Sequence, residues 1–224
     1  MSEKIAAIAG ATGMVGTYLY EEILKDDYFS TVRLLARRPM QKMHPKMEVK
    51  LVDFDDVESL KLALEETDTI FCCIGTTQKN VKGDNDLYRK IDLDIPVKIA
   101  RLGKEAGCKK FILVSSVGAS TKSRTFYLKL KGELENAIEA IGIETVHVMQ
   151  PSMLLGDRTE KRTGEQLLQG SMKMISGLFG GTMRKFRAIN GKTVARAMLN
   201  AAKKETKGFR RYRYDEIVRL ANEG

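Results

Sequence analysis

The chain has 224 residues and a mass of 25.1 kDa; at 43% hydrophobic and 30% charged it has the balance of a globular protein with a sizeable core, which excludes a disordered or fibrous chain. No run reaches the ~18 uncharged apolar residues of a membrane span, and residues 1–5 carry no basic and apolar leader, so neither a membrane contact nor a secretory signal is expected. The formal charge of +9 is uneven, with twelve Lys or Arg against four acids between Met183 and Gly224. That excess reads either as attraction to a polyanion or as a solvated face beside a phosphorylated cofactor. No nucleic-acid-binding motif accompanies it, so no specific nucleic-acid partner is expected.

In chain order, strands are predicted at 4–9, 31–36, 47–52, 69–74, 109–115 and 143–150, each an apolar run of strand length. Helices are predicted at 14–25, 57–65, 87–106 with an interruption near Pro96, 126–141, 164–176 and 192–203, and a short strand at 209–212 and a helix from Asp215 finish the chain. Strands alternating with helices imply an α/β fold, a Rossmann-type doubly wound and mostly parallel sheet with helices on both faces. No repeat, linker or low-complexity stretch divides the chain. A single domain over 1–224 is expected, with about 153–187 forming a small substrate-side excursion. Cys72 and Cys73 lie in an apolar run and Cys108 stands apart, which suits reduced thiols and not a disulfide framework, and the expected location is cytoplasmic.

Gly10-Ala11-Thr12-Gly13-Met14-Val15-Gly16 follows the first strand and opens the first helix. Glycine there allows a tight turn and close approach of a pyrophosphate, and the free N–H groups at a helix start face the anion. The spacing is GxxGxxG. A site for NAD usually carries an acid ~20 residues on, bonding the ribose 2′-hydroxyl, whereas here Arg37 and Arg38 end the second strand. Guanidinium groups suit a 2′-phosphate, so the expected cofactor is NADP(H). Asp53 and Phe54, ending the third strand, are expected beside the adenine, and Gly75 and Thr76, ending the fourth, beside the ribose.

Tyr127 and Lys131 stand four apart on a predicted helix and so share a face. Ser115 and Ser116 end the preceding strand, at the sheet edge where ligands bind. With GATGMVG at 10–16 and Gln150-Pro151-Ser152 after the sixth strand, this set resembles the atypical short-chain dehydrogenase/reductase superfamily over essentially the whole chain. FCCIGTT (71–77), YLKLKGELE (127–135), GDRTEKRTGE (156–165) and RAMLN (196–200) resemble, within it, the Tat-interacting-protein family of NADPH-binding oxidoreductases.

The resemblance implies roles for matching positions. Tyr127 would be the general acid, and Lys131 would bond the nicotinamide ribose and ease the phenol's ionisation. Ser116 would orient the carbonyl, with Ser115 the second candidate and a cofactor neighbour, and Pro151, Ser152 and Met153 would flank the nicotinamide.

Other residues carry less. His44 and His147 lack ligands at metal spacing, so no metal is expected and His147 reads as a satisfied core residue. A serine-hydrolase GxSxG is absent. Arg158, Glu160, Arg162 and Glu165 form an alternating charge run that reads as solvent-facing structure or as part of the substrate mouth. Met153, Met172, Met174 and Met183 read as packing or as an adaptable pocket lining. The reading is an NADP(H)-dependent oxidoreductase that transfers hydride to a small carbonyl-type acceptor by a Ser/Tyr/Lys mechanism. Its rivals are an NADP(H)-binding redox sensor or interaction module, and a nucleotide-sugar epimerase or dehydratase. A small-molecule substrate is the expected partner, and the oligomeric state is left open.

Overall fold

Ala6 and Ile8 face one way along the first strand and Ala7 and Ala9 the other, and all four are fully buried. Such a strand lies in the middle of a sheet covered on both faces. The computed structural model describes residues 3–156 and 185–223. In it, β1 (Ile5–Ala9) pairs in parallel with β2 (Thr31–Ala36) on one side and β4 (Thr69–Cys72) on the other. With β3 (Met47–Leu51), β5 (Lys110–Val114), β6 (Thr145–Met149) and β9 (Gly208–Tyr212) they form one parallel sheet of order β3-β2-β1-β4-β5-β6-β9. The order reverses at β1, so the chain leaving β1 enters the crevice at the switch point, where open α/β sheets bind ligands.

One face of the sheet is covered by α1 (Met14–Leu24), α6 (Gly191–Lys203) and α7 (Tyr214–Ala221). Ala195, Ala197, Ala201 and Ala202 of α6 are fully buried, and their small side chains let that helix lie close to its neighbours. The other face is covered by α2 (Val57–Leu64), α4 (Ile95–Glu105) and α5 (Phe126–Ile141). Phe71 and Ile112 point into the first core and Ile70, Phe111 and Leu113 into the second, each fully buried side chain contributing about 1.5–3 kcal/mol of transfer free energy.

The main sheet and the helices at 14–25, 57–65, 126–141 and 192–203 match the expected pattern to within a residue or two. The helix expected over 87–106 differs in two ways. It starts two residues earlier as α3 (Asn85–Arg89), because the Asp84 carboxylate caps the N–H groups of Asp86 and Leu87 at 2.9 Å each. It also continues unbroken through a π-helical turn, Lys90–Asp94, into α4. Proline lacks an N–H and crowds the carbonyl four residues back, and the wider turn just before Pro96 absorbs that conflict. An unexpected two-stranded ribbon pairs β7 (Leu154–Leu155) with β8 (Ile189–Asn190). The helix expected at 164–176, the charge run at 158–165, Met172, Met174, Met183 and most of the 153–187 excursion lie outside the described residues.

His147, at the centre of β6, is fully buried. Its Nδ1 shares a hydrogen bond of 2.9 Å with the Tyr212 hydroxyl, while Nε2 has no partner among the described residues, so the expected satisfied histidine is only half satisfied. Burial, followed by the charges of Lys110, Arg210 and Lys204, pushes its pKa down to about 4. The unfolded chain titrates near ~6.5, so between these values it binds a proton that the folded chain refuses. Stability is therefore unaffected above pH ~6.5 and falls towards pH 4, by up to about 1.4 kcal/mol per pH unit. Urea unfolding should show about 1.5 kcal/mol lost from this group between pH 6.5 and pH 5. His147→Asn should remove that part of the slope; an identical slope in the variant would assign the acid sensitivity elsewhere.

Candidate active site

The turn after β1 is built around backbone contacts that exclude side chains. Gly10 has φ +85°, and a Cβ there would lie 2.7 Å from the Cys73 carbonyl carbon. A Cβ on Gly16 would lie 2.2 Å from the Gly10 carbonyl oxygen. Gly13 is less constrained, its nearest such contact being 3.3 Å; it is the N-cap of α1 and its N–H donates to Gly10 O at 3.1 Å. No side chain caps α1, and its first turn holds no acid, so the partial positive charge of the helix start is open to an anion. Thr12 is exposed on the turn. Met14 turns its sulfur towards Gly156 and Gly191, and Val15 is buried in the core.

Arg37 and Arg38 are exposed where β2 ends. Arg37 lines a cleft of about 510 Å³ with Val52, Asp53, Phe54, Leu87 and Ile91. The structure thus brings together three residues expected near the adenine end of a dinucleotide, and adds Leu87 and Ile91. Asp53 Oδ1 accepts the Asp55 N–H at 2.9 Å, which folds this corner. Arg38 is not part of the cleft wall.

The other half of the site converges on Asp92, a residue the sequence did not single out. The π turn buries Asp92 to 1% exposure, and turns of this kind occur often at functional sites. Its Oδ1 accepts the Thr76 N–H at 2.7 Å, and its Oδ2 lies 2.7 Å from Lys131 Nζ. One carboxylate therefore ties the loop after β4 to the lysine of α5. Burial, the largest influence on Lys131, works against its charge. The Asp92 carboxylate, the Tyr127 phenol and the hydrogen bond to Asp92 outweigh it and hold the lysine above its ordinary range, an ammonium at neutral pH.

Tyr127, on the first turn of α5, has its ring 5.9 Å from Lys131 Nζ and is exposed at 37%. Ser116 is buried, and its hydroxyl makes only a long 3.4 Å contact with the Val117 carbonyl. Ser115 is engaged elsewhere. Its hydroxyl donates to Glu135 Oε1 at 2.5 Å, and the same buried carboxylate accepts Gln150 Nε2 at 2.8 Å and Arg211 Nε at 2.7 Å. The Ser115 side chain is thus tied to Glu135. Glu135 was also overlooked, although it stands one further turn along the Tyr127–Lys131 face, where the i, i+4 spacing could have found it.

Pro151, Ser152 and Met153 are fixed by their neighbours. The Pro151 carbonyl accepts the Val117 N–H at 3.0 Å, and the Met153 carbonyl accepts the Ile189 N–H at 2.9 Å. Ser152 Oγ donates to the Arg187 carbonyl. The three cysteines are free thiols. Burial pushes Cys72 up to about 11 and Cys108 up to about 12, and puts Cys73 well above its ordinary value, so none offers a thiolate near neutrality. Among the described residues no group of three metal-binding side chains occurs.

A family model described as NAD(P)H-binding matches residues 10–205. Protein HTATIP2 of Rattus norvegicus is 36% identical over 203 residues, covering 89% of this chain and 81% of the relative. Protein FMP52, mitochondrial, of Debaryomyces hansenii is 34% identical over 203 residues, covering 88% and 87%. Among solved structures, a UDP-N-acetylglucosamine 4-epimerase from Methanobrevibacter ruminantium in complex with UDP-N-acetylmuramic acid superposes with a TM-score of 0.71 at 16% identity, over 99% of this chain and 81% of that one. MoeE5 in complex with UDP-glucose and NAD gives 0.70 at 15% identity, over 98% and 81%; these two likenesses concern the fold alone. The FMP52 relatives are named mitochondrial, which overturns the expectation of a cytoplasmic location. That expectation rested on the lack of a leader and on cysteine usage, and neither distinguishes the two compartments. No helix among the described residues is long and apolar enough to cross a membrane. By its matched model and its relatives, the chain is a nicotinamide-dinucleotide-binding, oxidoreductase-type member of the atypical short-chain dehydrogenase/reductase superfamily, in the group that holds HTATIP2 and FMP52.

Proposed function

We propose that this chain is an NADPH-dependent reductase of small carbonyl compounds. The observation that carries the reading is the half-open Tyr127 one helical turn from a buried, charge-paired Lys131, at the carboxyl edge of the sheet. The residues fit a dinucleotide. Gly10 and Gly16 make room for a pyrophosphate at the uncapped start of α1, the Arg37–Phe54 cleft takes the adenosine, and Thr76, Lys131 and Pro151 border the nicotinamide ribose. A reduced nicotinamide, when bound there, would supply the hydride for the acceptor carbon. Tyr127 donates the proton to the carbonyl oxygen, Ser116 orients that oxygen, and the Lys131 ammonium stabilises the phenolate left on Tyr127. Asp92 keeps that ammonium charged and aimed. Positioned acids of this kind contribute ~10²–10⁴-fold. The test is NADPH oxidation against a panel of aldehydes and ketones. A protein that binds NADPH and turns over none of them is a sensor and not a reductase.

The preference for NADPH rests on Arg37 and Arg38 standing where a 2′-hydroxyl site would carry an acid. Charge-assisted hydrogen bonds contribute roughly 1.5–3 kcal/mol, so calorimetry should find NADPH bound about tenfold or more tighter than NADH. Arg37→Ala with Arg38→Ala should remove most of that difference. Equal affinities in the unmodified protein would defeat the assignment.

A further inference from the structure

Phe126 and Tyr127 open α5 side by side, and each keeps 37% of its surface exposed. Beneath them lies Tyr88 of α3, buried to 4%. Its ring centre is 6.3 Å from that of Tyr127, with 15° between the planes, and 5.7 Å from that of Phe126. Tyr88 is itself anchored, its hydroxyl donating to the Thr76 carbonyl at 3.3 Å. The two helices are fastened by the Arg89–Glu133 ion pair at 2.6 Å and, through the π turn, by Asp92–Lys131 at 2.7 Å. The rings therefore form a rigid wall that is already in place.

Exposed aromatic surface gains nothing for folding, since each Å² left in water forgoes about 25 cal/mol of burial. Small-molecule sites are lined mainly by apolar and aromatic side chains with a few placed polar groups, and this wall runs directly into the Tyr127 hydroxyl. Two ion pairs flank this wall, Arg89 with Glu133 and, behind the Tyr127 ring, Lys131 with Asp92; each charge is matched within its pair, which favours a neutral ring face over an ion.

Building on the reductase reading, we propose that the acceptor is a neutral, planar aryl ketone or aldehyde, its ring against Phe126 and its carbonyl oxygen at the Tyr127 hydroxyl. The carbonyl π bond breaks, and the carbon gains a C–H bond and two electrons as hydride from the reduced dinucleotide. The oxygen gains an O–H bond with the Tyr127 proton, which water restores. One carbonyl, one reduced dinucleotide and one proton become one alcohol and one oxidised dinucleotide.

The experiment is calorimetric titration of the protein saturated with NADP⁺, in which no turnover can occur, with acetophenone and with cyclohexyl methyl ketone. Ring stacking should make acetophenone bind about three- to tenfold more tightly. Phe126→Ala should abolish most of that preference and Phe126→Tyr should keep it, with circular dichroism confirming that both variants fold. Equal binding of the two ketones, no binding of either, or a preference that survives Phe126→Ala overturns the proposal. The two readings fail separately. Aryl preference without NADPH turnover of any carbonyl sinks the reductase and keeps the aromatic site, and turnover without aryl preference does the reverse.

Discussion

Tyr127→Phe should leave NADPH affinity within about twofold while lowering turnover on any accepted carbonyl by about 10²–10⁴-fold, the contribution of a positioned acid. The substitution keeps the ring, and with it the parallel contact to Tyr88 at 6.3 Å. Only the hydroxyl disappears. Because Lys131 and Asp92 are buried beneath the ring and pair with each other at 2.7 Å, their arrangement does not depend on that hydroxyl. The loss should therefore fall on kcat and kcat/KM together, with binding of the cofactor measured separately by calorimetry. A variant with full activity on a substrate that the parent turns over would end the proposed mechanism, and the family assignment would stand untouched.

Much of this arrangement is legible in the sequence because it is written in local patterns. Each central strand is an apolar run that stops at a polar residue or glycine, and each core helix repeats its apolar residues at helical spacing, so periodicity locates them. The glycines at 10 and 16 announce themselves by position, and the structure supplies the reason: backbone atoms stand within 2.2–2.8 Å of any Cβ placed there. Tyr127 and Lys131 are recognisable through their spacing on one helix.

What escaped is what depends on packing between distant segments. Asp92 looks like one more acid on an amphipathic helix. Only the π turn and the approach of α5 bring it to Lys131, and neither leaves a periodic trace. Glu135 breaks the binary pattern by being a buried acid, and three separate elements supply its partners. The β7–β8 ribbon has two residues per strand, too few for any alternation to show. Ser115 and Ser116 are indistinguishable in sequence. They part company in the structure because successive residues at a strand end point to opposite faces, one towards Glu135 and the other with its hydroxyl making only a long contact to Val117.

The second large effect is expected at Asp92, where charge, fold and chemistry meet. Removing one partner of a buried ion pair leaves the other charge unpaired, at a typical cost of 3–5 kcal/mol. Asp92→Ala strands the Lys131 ammonium, whose side chain is 4% exposed, and also deprives the Thr76 N–H of its acceptor. Urea unfolding should show a loss of this size. Asp92→Asn can still accept the Thr76 hydrogen bond but no longer supplies the charge that offsets burial, so Lys131 should titrate lower and lose its proton more readily. Turnover in that variant should then fall as pH rises, in a range where the parent's activity is flat. Adding Lys131→Met to Asp92→Asn removes the stranded charge and should recover most of the stability but none of the activity. That split separates a pair that merely holds the helices together from one that keeps an ammonium charged for catalysis. If Asp92→Ala unfolds within 1 kcal/mol of the parent, a margin well below the buried-pair cost, and turns over at the parent's rate, Asp92 has neither role.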